Sequence, residues 1–187
     1  MGEEAETQAH GALIDVLGVG VLLLGASGVG KSECALELVS RGHRLVSDDI
    51  VRIRRQLEHD DTGELRPQLV GSAPDLIRHY MEIRGIGLLY VPDLYGPNSV
   101  LKEAPMGLVC RLELWREDAE YERVGLERPT WEALGLVLPC LVLPVHPARS
   151  MATLVEVAVR DHRQRCAGVN AAARLDERLR SEYGRSR

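Results

Sequence analysis

Val19-Gly-Val-Leu-Leu-Leu-Gly-Ala-Ser-Gly-Val-Gly-Lys-Ser-Glu-Cys-Ala-Leu-Glu-Leu-Val39 decides the fold. Its first part, Val19–Leu24, is an apolar run of strand length. Its last part, from Ser32 onward, reads as a helix that runs to about Arg41 and is ended by Gly42. Between them, Gly25-Ala26-Ser27-Gly28-Val29-Gly30-Lys31-Ser32 matches the phosphate-loop pattern G-x-x-x-x-G-K-[ST] without departure. The glycines let the backbone curl so that successive N–H groups point inward, and these N–H groups with the helix N-terminus attract phosphate oxygens. Lys31 is placed to reach the β- and γ-phosphates, and the Ser32 hydroxyl to hold Mg²⁺. The competing reading is a glycine-rich turn that binds nothing. Lysine usage argues against it: the chain has two lysines, Lys31 and Lys102, against 21 arginines. A compact ammonium fits a backbone cradle where a planar guanidinium does not.

The bulk numbers suit one α/β domain. The chain has 187 residues, 45% apolar and 27% charged, enough for a substantial core under a solvated surface. A net charge of −5 argues against nucleic acid as a partner. The stretch from Arg160 to Arg187 is rich in arginine. It reads either as a solvated helical face or as a docking surface for an acidic partner or a neighbouring subunit. Cys34, Cys110, Cys140 and Cys166 form no C-x-x-C and sit among apolar residues, so they are expected to be reduced core thiols. Met1–Gln8 is acidic, unlike a signal peptide, and no apolar run approaches a membrane span. A cytoplasmic protein without a membrane partner is expected.

Residues 1–9 are polar and are expected to be frayed, with one domain over 10–187. Gly11–Leu17 and Val19–Leu24 are predicted to form a hairpin around Gly18. A short strand over His43–Ser47 ends in Asp48-Asp49, and Ile50–Arg54 alternates like a half-buried strand. Residues 56–68 read as a surface turn and Ala73–Tyr80 as a short helix. Ile86–Val91 reads as a buried strand, and Pro92–Pro105 as loop-rich. Gly107–Leu114 and Leu136–Val145 are strands, the latter at a sheet edge because of Pro139 and Pro144. From Met151 the period becomes helical, and a second helix spans Ala171–Tyr183.

Two features beside the loop carry chemistry. Asp48-Asp49 follows Lys31 by one helix and one short strand, which returns the carboxylates to the loop. Adjacent residues at a strand end point in different directions, so one carboxylate faces a metal and the other an incoming nucleophile. That pair of tasks suits a hydroxyl attacking a γ-phosphorus. The bland alternative is a turn with an Asx cap. Met81-Glu-Ile-Arg-Gly-Ile-Gly87 supplies Glu82, which could complete the metal shell, and Arg84, which could pair with phosphate or a carboxylate. A plain surface ion pair is the competing reading.

These elements in this order resemble the HPr kinase/phosphorylase family, specifically its C-terminal catalytic domain. The resemblance is carried by His10–Gly18, Gly25–Leu38, Arg41–Asp49, Met81–Gly87, Arg111–Trp115, Tyr121–Gly125 and Leu154–Ala158. The resemblance covers only the family's C-terminal domain, and its usual N-terminal domain is expected to be missing. The resemblance implies a mixed β-sheet domain like the nucleotide site of phosphoenolpyruvate carboxykinase, with C-terminal helices. It implies transfer of a phosphoryl group from ATP or pyrophosphate to a serine of HPr, the carrier of the phosphoenolpyruvate-dependent sugar transport system. It also implies reversal by phosphate with release of pyrophosphate, and a hexameric assembly. By the same resemblance Lys31 binds the phosphates, Ser32 and Glu82 hold Mg²⁺, and Asp49 accepts the serine proton. Asp48 supports the metal or orients Asp49, His10 tunes Asp49, and Arg123 stabilises the phosphoryl group in flight.

The chain departs from the family pattern at Pro144-Val-His-Pro-Ala-Arg-Ser150. Arg149 is kept, but His146 stands at a basic position, Ala148 replaces glycine and Ser150 replaces asparagine. Ala148 restricts the backbone if a positive φ is required there. Since that loop is tied to phosphorolysis in the family, the resemblance supports kinase activity more firmly than the reverse reaction. Two other readings use the same residues. One is a phosphate- or nucleotide-sensing module without catalysis, and the other is the same kinase chemistry on a different protein or a small hydroxyl compound.

Overall fold

The computed structural model describes residues 6–183 apart from 60–62, 123–124 and 126–127. Strands β1 (Glu6–His10), β2 (Ala12–Val16) and β3 (Val19–Gly25) open the chain. The β2–β3 hairpin turns at Leu17 and Gly18, with φ of 55° and 83°. Two successive positive φ values give the turn a twist that matches the flanking strands. The phosphate loop leads into α1 (Lys31–Ser40). The helix stops as expected: Gly42 has φ 93°, and its N–H and that of His43 cap the carbonyls of Val39 and Leu38. Then come β4 (Arg44–Ser47), β5 (Ile50–His59), β6 (Leu65–Ser72), β7 (Tyr80–Ile83), β8 (Gly87–Tyr90) and α2 (Val91–Tyr95). The chain closes with β9 (Glu103–Leu114), β10 (Thr130–Ala133), β11 (Leu136–Val145), α3 (Met151–Cys166) and α4 (Ala171–Tyr183).

The main sheet runs β1-β5-β6-β9-β3-β2-β4, with β11 added to β9 and β10 to β11. β3, β9 and β11 are mutually parallel, and the other pairings are antiparallel. The carboxyl ends of the three parallel strands therefore share one edge of the molecule, where open α/β sheets bind ligands. β7 and β8 form a separate two-stranded hairpin.

Both faces of the central strands are buried, which is why they read as unbroken apolar runs. Ile14, Val21, Leu23, Leu108 and Leu112 face α1 and α3 through Leu38, Ala35, Val155 and Val159. Leu13, Leu22 and Val109 face the other way, onto Val51, Ile53, Leu69 and Cys140. The second core is closed by the sheet itself, which curls back over it. Leu13 and Leu22 are both fully buried, so truncation of either to Ala removes about 2–5 kcal/mol.

Several sequence expectations need correction. Residues 6–9 are not frayed: Glu6–His10 pairs in register with Ile50–Arg54. Backbone pairing in a sheet outweighs the polarity of the segment. Within the proposed surface turn over 56–68, the described residues 56–59 and 65–68 are strand, the outer part of a β5–β6 pairing that runs from Arg52–Ser72 to His59–Leu65, while 60–62 lie outside the described residues. Its exposed, charged residues mask the strand period. Ala73–Tyr80 holds only a 3₁₀ turn at Asp75–Ile77, because Tyr80 already belongs to β7. Ile86–Val91 is not a buried strand: β8 begins at Gly87, and Ile86 and Leu88 are exposed. Pro92–Pro105, read as loop-rich, holds most of α2, a 3₁₀ turn at Pro97–Ser99 and the start of β9 between its connecting residues. β10 is a strand that the charged sequence around it conceals.

Pro139 and Pro144 sit as expected. Pro139 pairs only with β10 and Pro144 only with β9, so each leaves one side open. Three cysteines are buried, and burial pushes the Cys34 thiol up to about 12. Cys166 is exposed, contrary to expectation. It lies in the last turn of α3, whose apolar face is already satisfied upstream. Among the described residues no helix is long and apolar enough to cross a membrane.

Candidate active site

The loop after β3 adopts the curl that its glycines predict. Gly25, Gly28 and Gly30 have φ of 146°, 78° and 102°. A side chain at Gly25 would also collide with the Leu112 carbonyl at 2.4 Å. The loop thus packs directly on the end of β9. Lys31 Nζ donates to the Gly25 and Ala26 carbonyls at 2.9 and 3.0 Å, so the ammonium lies folded over the loop. Val29 turns into the core, and anchors the loop from beneath.

Asp48 and Asp49 occupy a tight reversal between β4 and β5. Asp49 has φ 69°, the Ile50 N–H donates to the Asp48 carbonyl at 2.9 Å, and the Ser47 hydroxyl donates to the Ile50 carbonyl at 2.5 Å. Aspartate tolerates this left-handed geometry better than most residues. The Gly11 N–H donates to the Asp49 carbonyl at 3.0 Å, which ties the reversal to the end of β1. The two carboxylates part company there. Asp48 is buried, and its Oδ1 accepts the Ser32 hydroxyl proton at 3.0 Å. Asp49 is exposed.

Burial pushes the Asp48 carboxyl up to about 6. The Ser32 hydroxyl and the Asp49 and Glu82 N–H groups oppose that shift, and the Asp49 charge adds to it. Asp48 is therefore an anion short of positive charge. The Ser32 and Asp48 oxygens, with Glu82 on the same cavity, are a partial set for a hard cation. Among the described residues no three His, Cys, Asp or Glu side chains form a closed metal cage. Magnesium commonly takes one or two protein oxygens and completes its shell with phosphate oxygens and water. The residues thus fit an ion that arrives with its phosphates.

The β7–β8 hairpin covers these groups. Met81 and Ile83 point into the core and Tyr80 and Glu82 outward, as the strand period requires. Arg84 reaches across to the phosphate loop. Its Nη2 donates to Ser27 Oγ at a long 3.4 Å, and its Nη1 would lie 3.0 Å from a Cβ at Gly28. A guanidinium over the loop is well placed for a polyanion.

Together these elements enclose a cavity of about 530 Å³. It brings together His10, Gly25, Ser27, Gly28, Gly30, Lys31, Ser32, Asp48, Asp49 and Glu82 from the predicted set. Arg84, also singled out in the sequence, lines it too, as do Glu33, Ile77, Tyr80 and Leu88, which were not. The exposed apolar members of that second group carry no motif, so only the folded hairpin reveals them. Ala26 faces a neighbouring cavity instead. Arg123 lies outside the described residues.

Arg149 is not on the cavity. It lies over the Trp115 ring at 5.6 Å, a cation–π contact at the ends of β9 and β11. Tyr121 stacks on Trp115 at 4.9 Å, and His146 meets the same indole edge-on at 6.1 Å. The Ala148 N–H donates to His146 Nδ1 at 3.2 Å. Ala148 does not have a positive φ, so the replacement of glycine strains nothing here. Ser150 caps α3 through the Thr153 N–H at 3.2 Å and joins Glu37 and Arg41 of the α1 end.

A family model described as HPr Serine kinase C-terminal domain matches residues 4–179. The chain belongs to this family. The HPr kinase/phosphorylase of Caldanaerobacter subterraneus subsp. tengcongensis is 52% identical over 175 residues, covering 94% of this chain and 55% of that protein. The enzyme of the same name from Geobacillus thermodenitrificans is 50% identical over 173 residues, covering 92% and 53%. The chain thus spans about half the length of the curated relatives it matches. Among solved structures, the Hpr(Ser) kinase/phosphatase from Coxiella burnetii superposes with a TM-score of 0.72 at 32% identity, over 87% of this chain and 93% of that one. The HPr serine kinase C-terminal fold accounts for the parallel trio β3, β9 and β11 with a phosphate loop at its carboxyl edge.

Proposed function

We propose that this domain is a Mg²⁺-dependent protein serine kinase that transfers a phosphoryl group from ATP or pyrophosphate to a serine of HPr. The observation that carries the reading is the shared cavity of Lys31, Ser32, Asp48, Asp49 and Glu82. The phosphate loop binds the donor through its N–H groups and the start of α1. On binding, the Lys31 ammonium exchanges its two loop carbonyls for phosphate oxygens. Arg84 closes over the chain of phosphates from the hairpin side. Ser32, Asp48 and Glu82 would hold Mg²⁺, which would neutralise charge on the donor's phosphates.

Asp49 is the proton acceptor. Its exposed carboxylate meets an incoming hydroxyl, takes the serine proton, and leaves the oxygen free to bond the terminal phosphorus. The bond from that phosphorus to the bridging oxygen breaks, and ADP or inorganic phosphate departs. His10, at the end of β1 beside the Asp49 reversal, adjusts the field at that carboxylate. Arg123 and Arg149 are proposed to act on charge at the phosphoryl group, Arg149 after leaving its seat on Trp115. Phosphorolysis runs the same steps backward with phosphate as nucleophile, and with His146 in place of a permanent cation it is the weaker activity. By resemblance the enzyme works in the cytoplasm as a hexamer, which light scattering of the purified protein tests.

The deciding experiment incubates the protein with purified HPr and Mg²⁺-ATP or Mg²⁺-pyrophosphate and maps phosphoserine by mass. Phosphorylation of one serine is expected with both donors. Donor binding without transfer to HPr contradicts the kinase reading.

A further inference from the structure

The phosphate loop and the loop that carries Arg149 are joined by a polar clamp. α1 starts at Lys31 and is 10 residues long, about 15 Å. Arg41 stands at its far end and grips the start of α3, although Arg41 and Ser150 lie 109 positions apart in sequence. Its Nη1 donates to Thr153 Oγ1 at 3.0 Å and to Glu156 Oε2 at 2.9 Å. Its Nη2 donates to Ser150 Oγ at 3.1 Å and to Glu37 Oε1. Ser150 Oγ donates in turn to Glu37 Oε1 at 3.0 Å. The other Glu156 oxygen pairs with Nε2 of the buried His43 at 2.9 Å. A planar fork with two partners on each terminal nitrogen holds one geometry, which an ammonium does not reproduce.

We propose that Arg41 and Ser150 are positioning residues for Arg149. The assignment rests on the reading above, in which Arg149 leaves Trp115 to act at the phosphoryl group, and deepens it. The span on which Arg149 swings is short. On one side Val145 is still paired with β9, and its carbonyl accepts the Trp115 N–H at 3.0 Å. On the other side the clamp fixes Ser150, the residue after Arg149. Residues 146–149 lie between these anchors and bond to one another: the Arg149 N–H donates to the His146 carbonyl at 2.9 Å. Apolar packing of Leu38 and Ala35 with Val155 and Val159 already holds α1 against α3, and partly exposed ion pairs add little stability. What the clamp adds is position. The helix that carries Lys31 at one end fixes the pivot of Arg149 at the other.

A double-mutant cycle tests the assignment. Ser150→Ala is expected to lower kcat for transfer from pyrophosphate to HPr about tenfold, with the pyrophosphate KM unchanged. Ser150→Asn, whose amide can both cap α3 and donate to Glu37, is expected to restore kcat. Arg41→Lys keeps the charge without the fork and is expected to behave like Ser150→Ala. In an Arg149→Ala background, Ser150→Ala is expected to cost less than about twofold more, because its effect passes through Arg149. Full additivity of the two losses overturns the proposal, and so does native kcat in both Ser150→Ala and Arg41→Lys. If Arg149→Ala turns over like the native protein, or HPr is not phosphorylated at all, the reading of Arg149 or of the kinase fails, which is a separate failure. The emission of Trp115, isolated from the second tryptophan by Trp131→Phe, then decides on the clamp without any turnover. Ser150→Ala is expected to move that emission toward the Arg149→Ala spectrum, and an emission unchanged from Ser150 protein overturns the proposal.

Discussion

The floor and the roof of the main cavity are built on different principles. The floor consists of the phosphate loop and the Asp48-Asp49 reversal, both fixed to buried strands. Val29, Leu22, Leu23 and Leu45 beneath them are at most 5% exposed. The roof is the two-stranded β7–β8 hairpin, whose Ile86 and Leu88 are 70% and 69% exposed. Only its Met81 and Ile83 reach the core. A floor locked in place suits chemistry, which needs atoms held to fractions of an ångström. An exposed apolar roof suits contact with a second macromolecule. The comparison teaches that the fixed floor carries the phosphate loop and both aspartates, whereas the roof adds an exposed apolar surface and the Arg84 guanidinium.

This division is open to attack by substitution. The largest effects belong to the floor. Asp49→Asn is expected to lower kcat by about 10³-fold while pyrophosphate still binds. Lys31→Ala is expected to lower kcat/KM by about 10²–10³-fold and to lose pyrophosphate affinity with it. Calorimetry paired with single-turnover assays separates the two. If both variants lose binding, Asp49 is a phosphate-site residue and not a base.

A pH titration probes the floor through stability. Asp48 holds its proton more tightly when folded, at about 6 against an ordinary 3.8. Its protonated form therefore favours the folded state below the ordinary value, and that advantage disappears as pH rises through the folded one. Compared with Asp48→Asn, the native protein is expected to lose about 3 kcal/mol of relative stability between about pH 4 and 6. Added Mg²⁺-pyrophosphate should recover much of it above that window. Chemical denaturation of both proteins across the range is the measurement, and parallel curves would show that Asp48 titrates as an ordinary surface carboxyl.

Roof substitutions are expected to be milder. Arg84→Ala should raise the donor KM about tenfold, the scale of one lost charge-assisted contact, with a smaller change in kcat. Leu88→Ser should raise the KM for HPr a few-fold and leave the donor KM alone, as one exposed apolar contact permits. A roof substitution that cuts kcat as deeply as Asp49→Asn would erase the distinction.

Legibility in the sequence follows the same division. Gly25–Ser32 is readable because a phosphate cradle dictates residue types at fixed spacing, and Asp48-Asp49 because chain length and one crossover return it to the loop. The hairpin β2–β3 and the end of α1 were announced by Gly18 and Gly42. The roof was half hidden. Glu82 and Arg84 are visible as charges, but their arrival over the loop depends on β7 docking through Met81 and Ile83. Tyr80, Ile77 and Leu88 carry no periodic signal at all. Long antiparallel pairing also leaves little signal in the sequence, since β1 and the outer β5–β6 ribbon are polar on exposed faces and gain their order from backbone hydrogen bonds. Arg149 was legible as a charge, yet its place over Trp115 rather than beside Asp49 depends on where β9 and β11 end.

The most direct test of the account is a crystal of this protein grown with magnesium pyrophosphate. The account predicts the anion lying across the N–H groups of residues 28–32, with Lys31 released from its carbonyls and the distal phosphorus facing the Asp49 carboxylate. An anion seated elsewhere, or an Asp49 side chain turned out of the cavity, would contradict it.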